Sequence, residues 1–299
     1  MRKIDIPVRG GSIAALSWNS AGTDAPLLHF AHATGLNAAT YRRLLEPLAN
    51  RYRIIASDFR GHGRTTLDAK PDALRGWERF EEDLEMLIEA LGEPALLAGH
   101  SVGATVSVML AARRPDLALG VAMAEPSFIP FAEADRVDEE RARGVPYEFE
   151  LARMAGRRRS RWSGRDEVRS AYTGRGMFAS WPDGWLDDYL DGGLVAQGDG
   201  AVMLACAPTW EQATFSAVTT EIWRRLPRYE GPLTVVRGTV MSTTADADAD
   251  AIAELAPQAQ MFVHPGRSHF LPMEAPNLVH HAIDVALASN RTTQEETET

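Results

Sequence analysis

Short apolar runs alternate with helical patterns along most of this chain, and that alternation limits the possible folds more than any other feature. Runs bounded by turn residues lie at about 3–8, 12–18, 26–31, 52–57, 95–99, 117–124, 232–237 and 259–264. Apolar residues recur at helical spacing near 38–49, 77–92, 102–113, 246–255 and 276–289. Strands that alternate with helices predict an α/β fold, a mostly parallel eight-stranded sheet flanked by helices on both faces. The Gly10-Gly11 turn joins the first two runs, so these are expected to form an antiparallel hairpin at one edge.

The alternation stops near Pro130 and resumes near Pro232. Residues 1–129 and 230–289 are therefore expected to form the core, and residues 130–229 an inserted helical cap without clear strands. Five of the seven tryptophans fall in the insertion: Trp162, Trp181, Trp185, Trp210 and Trp223. Most are expected to fill its own core, and some to line an apolar pocket at the junction. The polar, acidic tail over 290–299 is expected to be disordered.

A chain of 299 residues can bury a sizeable core without staples, and the single Cys206 excludes an intramolecular disulfide. The net charge of −10 argues against a nucleic-acid partner held by phosphate contacts. Asp5 and Arg9 interrupt what would be the apolar core of a signal peptide. No run approaches the roughly 18 apolar residues of a membrane span. A cytoplasmic protein with no membrane partner is the expectation, and a homodimer is compatible with it.

The sequence Leu96-Leu97-Ala98-Gly99-His100-Ser101-Val102-Gly103-Ala104 runs from an apolar strand into a helix of small residues. A serine in that tight turn is pushed out of the sheet, and the flanking glycines leave room for the crowded backbone. The N–H of Val102, at the start of the helix, can then stabilise an oxyanion with help from the helix dipole. Ser101 is thus the candidate nucleophile, and a Gly-rich turn with a capping serine is the plain alternative.

With these residues the chain resembles the α/β-hydrolase superfamily of serine hydrolases with a helical cap. The resemblance spans nearly all of residues 1–289 and rests on ordered motifs. Asp58-Phe59-Arg60-Gly61-His62-Gly63 follows the fourth strand, Phe30-Ala31-His32-Ala33-Thr34-Gly35 the third, and Pro265-Gly266-Arg267-Ser268-His269 the last. The resemblance implies an oxyanion turn after the third strand and the catalytic histidine after the last. His32-Ala33 stands where the superfamily has His-Gly, so the second oxyanion donor is the N–H of Thr34 by position, with Ala33 as alternative. His32 is expected to hold the turn by a hydrogen bond rather than to face the pocket, and Asp58 and His62 to stabilise theirs.

Histidine is the usual general base near neutral pH, and His269 sits beyond the carboxyl end of its strand, where open α/β sheets place their sites. The third group should be a carboxylate that fixes the imidazole tautomer. In most of the superfamily it follows the seventh strand. Here that segment, Gly238-Thr239-Val240-Met241-Ser242-Thr243-Thr244, contains no acid. Asp246 comes next, but it reads as an exposed helix-start acid. Glu125 ends the apolar sixth strand and is the better candidate, a position that resembles zearalenone-type lactone hydrolases and some haloalkane dehalogenases. Asp246, or a serine–histidine dyad, is the alternative.

Arg157, Arg158, Arg159, Arg161 and Arg165 are expected to form a solvated face balanced by Glu139, Glu140 and Asp166, with attraction of an anionic substrate as the sharper reading. No metal-ligand spacing and no dinucleotide fingerprint are present, so no cofactor and no metal are expected. The combined expectation is a serine hydrolase that cleaves a small-molecule carboxylic ester or lactone with a hydrophobic moiety. Carbon–carbon or amide hydrolysis, perhydrolysis, and a non-catalytic small-molecule binding protein are the alternatives.

Overall fold

A computed structural model describes residues 1–297. Its main sheet is assembled from β1 (Arg2–Val8), β2 (Gly11–Trp18), β3 (Leu27–Ala31), β4 (Arg53–Ser57), β5 (Ala95–His100), β6 (Ala118–Ala124), β10 (Leu233–Val240) and β11 (Ala259–Ser268). The three strands between β6 and β10 belong to a second, smaller sheet. The order across the main sheet is β1-β2-β4-β3-β5-β6-β10-β11. β1 and β2 pair antiparallel, as do β2 and β4, and every other pairing is parallel. The central strands β3 and β5 are buried along their whole length, which is why they read as unbroken apolar runs rather than alternating ones.

The helices flank both faces, and two apolar clusters lie on opposite sides of the sheet. The helix Val102–Arg113 packs against β5 and β6 and is buried along most of its length, so small residues are what its surroundings accept. The segment 38–49, expected as one helix, is broken into 3-10, α and 3-10 pieces, and Pro47 is the second residue of the last of them. The final helix runs Pro276–Thr297, through most of the tail expected to be disordered. Beyond Leu287 no Gly or Pro interrupts it, and Gln294, Glu295 and Glu296 are good helix formers. Residues 298 and 299 lie outside the described residues.

The segment between β6 and β10 holds short helices, including Glu150–Gly156, Arg165–Tyr172, Trp185–Gly193 and Pro208–Ser216. It also holds a three-stranded antiparallel sheet of β7 (Arg161–Trp162), β8 (Leu194–Ala196) and β9 (Val202–Leu204), in the order β7-β9-β8. No strand was expected here, because runs of two or three residues are too short to show a period. Among the described residues no helix is long and apolar enough to cross a membrane.

His29 on β3 is fully buried, and its Nε2 lies 2.8 Å from Ser57 Oγ on β4. Burial lowers its pKa from the ordinary 6.5 to about 3, so the ring stays neutral in the fold. Below pH 6.5 the unfolded chain takes up a proton that the folded chain refuses. The stability tied to this ring is therefore complete above pH 6.5 and drains away as the pH falls toward 3. His29→Gln should flatten the dependence of unfolding free energy on pH by about 1.4 kcal/mol per pH unit between pH 6 and 4. Urea titrations at a series of pH values check this, and an unchanged slope would contradict it.

Candidate active site

The strand order brings distant residues to one edge. β5 lies between β3 and β6, β10 lies beside β6, and β11 beside β10. The turns leaving the carboxyl ends of these strands carry, in spatial order, Thr34, Ser101, Glu125, Thr243 and His269.

Ser101 occupies a strained turn, with φ 58 and ψ −123. Its N–H donates to Ala124 O at 3.1 Å, which anchors the turn to β6. A Cβ on Gly99 would lie 2.4 Å from the Gly103 carbonyl carbon, and one on Gly103 would lie 2.2 Å from Ala31 O. Both neighbours are backbone, so neither can give way, and glycine is required at both positions. Val102 opens the helix, and among the described residues its N–H has no partner, as expected of a first-turn amide.

Over residues 33–36 the turn after β3 spends three of its four amides. Ala33 N–H donates to Tyr41 Oη at 3.1 Å, Gly35 N–H to His62 Nε2 at 3.1 Å, and Leu36 N–H to Ala33 O at 3.1 Å. Among the described residues only the Thr34 N–H of this group is left without a partner. Ala33, the alternative donor, is thereby committed elsewhere. His32 donates from Nδ1 to Ala33 O at 2.8 Å and accepts at Nε2 from Phe59 N–H at 2.9 Å, so both nitrogens are used within the turns. Asp58 accepts from the N–H groups of Ala38 and Arg64, at 2.8 and 3.3 Å.

Glu125 is fully buried, with a left-handed φ of 47. Its carboxylate accepts from Gly238 N–H, from Thr243 N–H at 3.2 Å, and from Ser242 Oγ, 2.9 Å from Oε2. His269 Nδ1 lies 3.4 Å from Glu125 Oε2 and 3.1 Å from Thr243 Oγ1. The Thr243 hydroxyl can give its proton to Pro126 O, 2.8 Å away, which leaves a lone pair facing His269. His269 Nδ1–H thus has two acceptors, and its Nε2 is left as the basic nitrogen. Among the described residues Ser101 Oγ makes no hydrogen bond to this ring; such bonds are often long in ligand-free sites. Thr243 carries no signal in the sequence, where it is one of several hydroxyl residues in a segment without an acid. Asp246 stands apart, 88% exposed, and pairs with Arg237.

His269 follows β11 directly because that strand runs further than expected. The β10–β11 register shifts between Gly238 and Val240, which takes up Pro265, Gly266 and Arg267 as a bulge and re-aims the chain. A Cβ on Gly238 would lie 2.0 Å from Arg267 O, so the bulge needs that glycine.

The insertion closes over this edge. Trp181 stacks edge-on to Phe270, with centroids 5.9 Å apart, and Phe270 lies 5.5 Å from the His269 ring. Buried indole N–H groups of Trp162 and Trp181 have no partner among the described residues. Trp210 and Trp223 instead donate to the carbonyls of Arg60 and Ile129. In the arginine cluster Arg157, Arg159 and Arg161 are exposed, as expected, whereas Arg158 is drawn inward. Arg158 pairs with Glu211 at 2.5 Å and reaches the hydroxyls of Tyr172 and Tyr189 at 3.1 and 3.2 Å. Arg159 pairs with Glu167, Arg161 with Asp199 and Arg165 with Asp191. The expected partners Glu139, Glu140 and Asp166 are replaced because folding brings other acids closer. Glu211 Oε1 sits against Gly35, where a Cβ would come within 2.5 Å of it. Among the described residues no cluster could hold a metal ion.

An eight-stranded sheet with a serine in a strained strand-to-helix turn and a histidine after the last strand defines a hydrolase architecture. The chain belongs to the alpha/beta hydrolase family, whose model matches residues 30–282. It is 27% identical over 264 residues to 2-(acetamidomethylene)succinate hydrolase of Mesorhizobium japonicum, covering 86% of each chain. The crystal structure of E-2-(acetamidomethylene)succinate hydrolase superposes with a TM-score of 0.72 at 22% identity, covering 96% of this chain and 99% of that one. The thioesterase domain from the curacin biosynthetic pathway gives 0.70 at 20% identity, covering 95% and 98%. At that identity the structural likeness speaks for the fold alone.

Glu125→Gln should lower hydrolytic turnover by on the order of 10³–10⁴, since the imidazole loses both its charge partner and its enforced tautomer. Thr243→Val, which removes one hydrogen bond of about 1 kcal/mol, should cost roughly fivefold. Asp246→Asn should stay within about twofold, because its exposed carboxylate touches neither His269 nor Glu125 and its ion pair with Arg237, open to solvent on the acid's side, is worth about 1 kcal/mol or less. Parallel assays on one substrate, with circular dichroism to confirm folding, check all three. A dead Asp246→Asn beside an active Glu125→Gln would reverse the assignment.

Proposed function

We propose that this hydrolase cleaves a carboxylic ester or lactone with a hydrophobic moiety through an acyl-enzyme on Ser101. Ser101 Oγ attacks the carbonyl carbon while His269 Nε2 takes its proton. The amides of Thr34 and Val102 hold the oxyanion, and Glu125 with Thr243 keeps the imidazole in its working tautomer. His269 then protonates the leaving oxygen, and water repeats the sequence to release the acid. The observation that carries this reading is a pair of amides left without a partner among the described residues, Thr34 on the turn after β3 and Val102 directly after Ser101, while Ala33 and Gly35 beside Thr34 are committed elsewhere. The aromatic wall of Trp181 and Phe270 beside His269 supports the hydrophobic moiety.

A second reading, hydrolysis of an amide bond in a carboxylate-bearing substrate, is favoured by two observations. One is the relative named for 2-(acetamidomethylene)succinate. The other is Arg158, held with two tyrosine hydroxyls beside the Glu211 that abuts Gly35.

Ser101→Ala should abolish turnover and labelling by a fluorophosphonate while leaving the fold intact. Retention of more than a few per cent of turnover would exclude the covalent route, and absent labelling of the unmodified protein would favour a binding protein. A panel of p-nitrophenyl esters, lactones and acetamides, each in neutral and carboxylate-terminated versions, separates the two readings. The first expects the highest kcat/KM on long-chain neutral esters. A preference for short carboxylate-terminated acetamides would transfer the assignment to the second.

A further inference from the structure

Two fully buried side chains that the catalytic scheme does not use, Tyr41 and His100, lie between the turns that it does use. Tyr41 ends the short 3-10 helix Ala38–Tyr41, and His100 immediately precedes Ser101. Their hydrogen bonds have one consistent direction. The N–H of Ala33 donates to Tyr41 Oη at 3.1 Å, so the phenol oxygen is an acceptor on that side. Its own proton then goes to His100 Nδ1, 2.7 Å away. With Nδ1 accepting, the imidazole proton is on Nε2, which donates to the backbone carbonyl of His269 at 2.8 Å. The His100 and His269 rings are 4.7 Å apart.

We infer that Tyr41 and His100 are positioning residues for the hydrolytic reaction: their chain from the Ala33 amide to the His269 carbonyl sets the oxyanion turn and the base loop against the nucleophile turn. The inference rests on the proposed Ser101 chemistry. Tyr41 takes up the Ala33 amide, and among the described residues this leaves the Thr34 amide as the free donor over residues 33–36. His100 ties the base loop to the residue next to the nucleophile. A misplacement of the order of an ångström in either costs about 10²-fold in rate, because both groups act only in a fixed geometry. Burial keeps both groups in the protonation states that the chain requires: it raises the Tyr41 phenol, and with the neighbouring His269 it lowers the His100 imidazole well below its ordinary value.

The test is a double-mutant cycle on an activated ester, with Tyr41→Phe, His100→Met and the double variant, each checked by thermal melting. Each single variant should lower kcat by about 10–100-fold with KM nearly unchanged, and weaken a trifluoromethyl ketone, which mimics the oxyanion, by the same factor as kcat/KM. Because the two residues act as one unit, the double variant should be no worse than the poorer single one. His100→Gln, which keeps a donor toward His269 O, should return kcat to within about threefold of the unmodified protein. A lowered melting temperature with kcat within twofold would overturn the inference, as would multiplicative losses in the double variant. If Tyr41→Phe does not fold, the comparison of His100→Gln with His100→Met decides: equal losses reject the chain. Should the unmodified protein show no turnover and no labelling of Ser101, the underlying hydrolase chemistry would fail instead.

Discussion

A carboxylate sealed at the end of a buried strand must be compensated where it stands, and the compensation of Glu125 organises the loops around it. Left unpaired, such a charge would cost several kcal/mol. The donors come from the segment after β10, through Gly238 N–H, Ser242 Oγ and Thr243 N–H, and from His269 after β11. The chain reverses at Met241, whose left-handed φ of 49 turns Ser242 and Thr243 back toward β6. One buried charge thus draws the ends of β6, β10 and β11 together. The same bonds hold the imidazole in the tautomer that leaves Nε2 free.

The second constraint is steric. The close approach of Gly99 to Gly103, and of Gly103 to Ala31, forces the helix after β5 down onto β3 and the serine up out of the sheet. Backbone contacts of this kind cannot relax one at a time. The strain at Ser101 is therefore sustained by the packed helix Val102–Arg113 on one side and the Ala124 carbonyl on the other.

The features legible in the sequence are those that a local rule determines. Buried parallel strands must be continuously apolar, so the core strands stood out, and an unpaired acid ending such a run marked Glu125. The Gly-x-Ser-x-Gly turn was readable because only glycine tolerates the contacts at 99 and 103. What stayed hidden depends on contacts across the chain. Thr243 matters only because β10 lies beside β6, and the Pro265–Arg267 bulge only because Gly238 makes room for it. The arginines of the insertion found Glu211, Glu167, Asp199 and Asp191, all set by tertiary placement rather than by neighbouring sequence. Tyr41 had no signal at all, since a tyrosine in a short helical pattern is ordinarily just core.

The docking of the insertion explains why the core edge says more about chemistry than about substrate. Its side-chain hydrogen bonds to the core include Trp210 Nε1–H to Arg60 O, Asn37 Nδ2–H to Tyr189 O and Trp77 Nε1–H to Thr214 O, at 2.9 Å each. In each case the acceptor is a backbone carbonyl, which any residue would supply. Docking therefore leaves the side chains of Tyr189 and Thr214 unspecified at these contacts, whereas it fixes Trp210 and the buried Asp188, which pairs with Arg42 and Arg43. The edge has no such freedom: Ser101, Glu125, Thr243 and His269 are each held by contacts to other strands. At 22% identity the likeness of folds speaks for this frame alone and not for what the insertion binds.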